Sequence, residues 1–194
     1  MKTSGFTFCI ALLVGTATAG AHTGHWTGDS FTNGLAHPLF GLDHLLAMLA
    51  LGIWAGQLGG RSRWLVPLAF AGAMLGGGVL EMCGVGIPFQ EPGISLSVVL
   101  VGLAILFSIR PGPWIPAVAA GLFAVWHGAA HGAEIPPGTD FPPYALGFAL
   151  ATLGLHAVGV LLGETLSAQA DKAPLRPVGA ALAAAGFFLL AAQI

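Results

Sequence analysis

An all-α, polytopic membrane protein with six transmembrane helices behind a cleavable signal peptide is the fold class predicted by three features of the sequence. The 194 residues are 56% hydrophobic and only 7% charged, against roughly 25% charged in an ordinary soluble domain. The apolar residues gather into segments near the ~20 helical residues needed to cross a ~30 Å hydrocarbon core. Beyond the N-terminal region, every Lys and Arg falls in alternate connections between those segments, the pattern expected of cytoplasmic loops. The net charge of −2 and the lack of a basic cluster exclude nucleic acid as a partner.

Lys2, the apolar run Phe6 to Val14 and the small residues Thr16 to Ala21 have the order of a secretory signal, and Ala19-Gly20-Ala21 fits its cleavage rule. Residues 1–21 are therefore expected to be removed, leaving 22–194 as one transmembrane domain with His22 at a periplasmic N-terminus. Cys9 falls within the signal, so the mature chain keeps Cys83 alone and forms no internal disulfide.

The first predicted span lies within Gly34 to Ala55, and the others are near Trp64–Val85, Ile94–Ile109, Trp114–Gly132, Tyr144–Leu162 and Pro177–Gln193. With His22 outside, the inner loops hold Arg61, Arg63, Arg110, Lys172 and Arg176, while Asp29, Glu91, Glu134 and Asp140 fall outside. That puts the basic loops on the cytoplasmic side of a membrane, with the chain in contact with the bilayer along most of its length. Many of the 30 glycines lie inside spans, where small residues let helices approach closely. Three spans on either side of a midpoint would also suit an inverted repeat.

Ionisable groups inside apolar spans are costly, about 2.5–3.5 kcal/mol for a charge near the bilayer centre on insertion scales, and usually mark ion or proton pathways. The first span carries His37, Asp43 and His44. On a straight helix His37 and His44 share a face but sit roughly 10 Å apart along the axis, so both reach one ion only if Pro38 and Gly41 disturb the helix. The fourth span carries His127 and His131, one turn apart on one face, and ends near Glu134. By depth, His37, His131 and Glu134 form an outer mouth, and Asp43, His44 and His127 a second layer. His156 lies past the midplane and Glu164 at the inner end. The expected ligands are thus His37, Asp43, His44, His127, His131 and Glu134, with His22, His25, Glu81 and His156 as outer or inner relays. Imidazole with carboxylate suits borderline divalent ions such as Ni²⁺, Co²⁺ or Zn²⁺ rather than Mg²⁺ or Ca²⁺. These donors would hold Cu²⁺ more tightly than Ni²⁺, so they do not name the ion.

The motifs His37-Pro38-x-x-Gly41-x-Asp43-His44 and His127-Gly128-x-x-His131-Gly132-x-Glu134 resemble the two signatures of the HupE/UreJ family, membrane accessory proteins of hydrogenase and urease regarded as nickel permeases. Both are complete, and the resemblance covers the whole length. It implies uptake of Ni²⁺ or Co²⁺ for metalloenzyme maturation, with hydrogenase or urease maturation proteins as partners, no catalytic residues and no permanently bound cofactor. His156 belongs to neither signature and is carried on its chemistry. No phosphate-binding G-x-x-x-x-G-K-[ST] loop is present, so the ion gradient, the membrane potential, protons or a partner must drive transport. Two other classes use similar residues: an intramembrane zinc-dependent hydrolase and a membrane haem protein with paired axial His.

Overall fold

The computed structural model describes residues 28–135, 137–168 and 175–193. The predicted signal, its cleavage point, His22 and His25 lie outside them. The described residues are helical: α1 Ser30–Ala36, a single 3-10 turn at His37–Leu39, α2 Leu42–Leu58, α3 Ser62–Met82, α4 Gln90–Leu106, α5 Trp114–Ala133, α6 Phe141–Ser167 and α7 Leu175–Ala191. Each of the six predicted segments carries one long helix.

α1 starts at Asp29, whose carboxylate accepts from the Thr32 N–H at 2.8 Å, an N-cap that also holds this acid below its ordinary pKa. The first predicted span departs from a straight helix. Pro38 enters the 3-10 turn, Gly41 adopts an extended backbone (φ −89°, ψ 114°) as the N-cap of α2, and the axes before and after differ by 78°. Proline and glycine supply the break that the sequence permits.

α3 and α6 are long and apolar enough to cross a membrane, and the bent α1–α2 pair counts as a third span if taken together. α4 and α7 are apolar helices of 17 residues. α5 has the length, with 20 residues, but His127 and His131 lower its hydropathy. Trp64 and Leu68 of α3, Val118 and Leu122 of α5, Leu161 of α6 and Phe187 of α7 are exposed, the outward apolar surface a lipid environment accommodates.

The helices pack chiefly in three pairs, α3 with α5, α2 with α6 and α4 with α7. Each seam is lined by glycine facing backbone. A Cβ on Gly128 would strike the Met74 carbonyl group across α3/α5, one on Gly159 would meet the Leu49 carbonyl oxygen at 2.6 Å across α6/α2, and one on Gly179 would meet the Gly102 carbonyl oxygen at 2.8 Å across α7/α4. Such contacts give close helix approach in an apolar solvent that offers no hydrophobic drive. Met48, Leu51, Phe70, Met74 and Ile105 fill the centre.

Candidate metal centre

The bend after His37 decides the geometry of the outer end. It turns the His37 side chain toward the last turn of α5, so His37 Nε2 lies 2.7 Å from His131 Nδ1 and 3.2 Å from Glu134 Oε2. His131 Nδ1 is itself 3.9 Å from that carboxylate oxygen. One ligand atom from each residue therefore falls within 4.8 Å of the others. Both histidines are buried and Glu134 is partly exposed, so two imidazoles and a carboxylate converge where the bundle meets its surroundings. Glu134 is the C-cap of α5, and the partial negative charge of that helix end adds to the attraction for a cation. Below lies a cavity of about 20 Å³ lined by His131, Tyr144, Phe148 and Met74 among others, room for one water or one small ion.

The second layer abuts the first. The His44 ring lies 4.1 Å, centroid to centroid, from His131 and 5.3 Å from His127, edge to face. The two predicted depths thus form a continuous chain of rings rather than separate sites. Asp43 Oδ1 accepts from the His44 backbone N–H at 2.8 Å and lies 2.9 Å from His44 Nδ1. His127 Nδ1 donates to the Phe123 carbonyl, 2.9 Å away. In both histidines Nδ1 carries the proton, and Nε2 keeps its lone pair, buried and without a hydrogen-bond partner. Metal-ligating histidines are commonly prepared in this way, the second nitrogen fixing the tautomer.

Glu91 was read from sequence only as an outer acid. It stands in the first turn of α4, and its carboxyl reaches hydrogen-bonding contact with Asp43. Two carboxylates so close share a proton or a cation. The sequence places Glu91 in an outer connection and Asp43 in the deeper second layer; their contact is long-range and carries no local pattern. Glu81, a candidate outer relay, has a different position: its Oε2 accepts from the Ile87 N–H at 3.2 Å and from Gln90 Nε2 at 3.1 Å. It ties the α3–α4 loop and so positions the start of α4. Glu164, expected at the inner exit, pairs with Arg63 at 3.0 Å. His156 lies deeper, fully buried on α6, with Nδ1 donating to the Thr152 carbonyl at 2.7 Å and Nε2 unpartnered.

Among the described residues, apolar helices packed as a bundle, with two buried histidines and a carboxylate converging at one end, define an all-helical membrane protein whose clustered ligand atoms could hold a metal ion. Residues 10–189 match the HupE / UreJ protein family, and the chain belongs to that family. It is 40% identical over 190 residues to "Protein HupE" of Rhizobium leguminosarum bv. viciae, an alignment covering 98% of this chain and 99% of the relative. No solved structure matches the chain.

Proposed function

We propose that this chain is a divalent transition-metal permease of the bacterial inner membrane, importing Ni²⁺ or Co²⁺ for hydrogenase or urease maturation. The observation that carries this reading is the convergence of His37 Nε2, His131 Nδ1 and Glu134 Oε2 within 4.8 Å of one another. Its support is the donor chemistry, which suits a borderline ion, and membership of a family serving hydrogenase and urease. In this reading six spans follow a cleaved signal and the mature N-terminus is periplasmic.

The ion enters at the mouth, where Glu134 offsets part of its charge and two imidazoles replace water. It passes to the Nε2 atoms of His44 and His127, with Asp43 and Glu91 supplying the negative charge that makes a desolvated cation tolerable. Metal is cargo here, not a resident cofactor. The histidines run from His37 through His131 and His44 to His127, which argues against a single hydrolytic metal centre with an open water position.

The test is uptake of radioactive Ni²⁺ by cells expressing the chain, beside a His37→Ala/His131→Ala variant of equal abundance in the membrane. Two lost imidazole ligands should bring uptake to background. Uptake at the unsubstituted rate would remove the mouth from the pathway.

A further inference from the structure

One cluster lies below the ligands described above, where α3 meets α6. Phe70 and Met74 stand one turn apart on α3, and Thr152 and His156 one turn apart on α6. The Phe70 ring sits between two imidazoles, 5.1 Å from His127 and 4.9 Å from His156 by centroids. The Thr152 hydroxyl donates to Met74 Sδ at 3.8 Å, while the Thr152 carbonyl accepts from His156 Nδ1. Thr152, Met74 and His156 are almost completely buried.

Three features make this more than packing. The hydrogen bond to the Thr152 carbonyl fixes the His156 tautomer, leaving the Nε2 lone pair buried and unpartnered. Met74 belongs both to this cluster and to the wall of the cavity that His131 lines, so one side chain stands between the two. The cluster's donors are all neutral: α3 and α6 carry one acid each, Glu81 and Glu164, and these are held by the α3–α4 loop and by Arg63.

We propose that His156 Nε2, Met74 Sδ and Thr152 Oγ1 form a second, inner ion station for a borderline or soft divalent cation, behind the Phe70 ring. This deepens the permease reading and rests on it. The outer end offers Asp43, Glu91 and Glu134 to a cation; the inner station offers none, so it holds the ion weakly and releases it. Conduction needs that descent, since binding must favour entry yet permit exit. A thioether and an imidazole also discriminate against Mg²⁺ and Ca²⁺, which prefer oxygen donors.

Nickel X-ray absorption on the purified full-length chain in lipid nanodiscs, saturated with Ni²⁺ and with Cys9 and Cys83 replaced by Ser, tests this. Methionine is then the only sulfur present. The spectrum should contain a sulfur neighbour besides nitrogen and oxygen, and Met74→Leu should abolish it. That swap conserves volume, and cores tolerate it well. His156→Gln should abolish the sulfur signal too, while both variants still bind nickel at His37, His131 and Glu134. Nickel bound with only nitrogen and oxygen neighbours in the parent, or a sulfur signal that survives both substitutions, would overturn the inner station and leave the permease reading standing. A parent that binds no nickel would overturn both.

Discussion

Asp43→Asn should lower nickel uptake at least about thirtyfold, whereas His22→Ala should leave it within about twofold. Asp43 is the acid in the first turn of α2, its Oδ1 held by the backbone and ring of His44 and its carboxyl against Glu91. At ~4 Å and an effective dielectric near ~20, one negative charge contributes about 4 kcal/mol per positive charge. If Glu91 recovers half of that, about 2 kcal/mol per positive charge remains lost, and counting only one of the ion's two charges sets the thirtyfold figure as a lower bound. Asparagine keeps the shape and an acceptor oxygen, so the loss reports charge. His22 lies in the outer segment predicted from sequence, where salt screens its interactions. Initial rates of radioactive Ni²⁺ uptake at matched expression measure both. Equal defects would contradict a pathway whose electrostatic centre is Asp43.

Gly128→Leu should remove the folded protein from the membrane, whereas Gly72→Leu and Gly76→Leu should leave its amount and melting temperature unchanged. A Cβ on Gly128 runs into the backbone carbonyl of Met74, and one on the neighbouring Gly132 comes within 2.8 Å of the Gly78 carbonyl oxygen. Backbone cannot swing aside as a side chain can, so α3 and α5 must separate. Ordinary overpacking costs about 1–3 kcal/mol, and prying a helix pair apart exceeds it, against a total stability of roughly 5–15 kcal/mol. Gly72 and Gly76 face open space. Size-exclusion profiles of the detergent-extracted variants separate these cases. A monodisperse Gly128→Leu protein with a normal melting temperature would show that the α3/α5 seam is looser than described.

Much of this protein is legible in its sequence because the membrane penalises exceptions. Each ionisable residue inside an apolar segment stands out by its cost, so His37, Asp43, His44, His127, His131 and His156 announce themselves, and the i, i+4 spacing of His127 and His131 puts them on one face. Helix positions are legible for the same reason: long apolar runs have few other solutions.

Three-dimensional contacts were less accessible. Pro38 and Gly41 signalled a possible break, but the 78° bend depends on backbone angles and on α1 packing against α6. On a straight helix His37 and His44 would stay about two turns apart; with the bend, both rings lie beside His131. Glu91 meets Asp43 only because α4 starts beside α2. Glu81 and Glu164 could be placed by depth, whereas their partners, the α3–α4 loop and Arg63, depend on the fold. Sequence thus gives a polar residue's place along its helix more readily than its neighbour across the bundle.

The most direct test of the central claim is Ni²⁺ entry into liposomes containing only this purified chain, followed by a nickel-sensitive dye trapped inside. An inward Ni²⁺ gradient should give dye quenching in vesicles with the unsubstituted protein, and vesicles carrying the His37→Ala/His131→Ala variant should match protein-free vesicles. Quenching no faster than in protein-free vesicles, or equally fast with both proteins, would contradict permeation through the site formed by His37, His131 and Glu134.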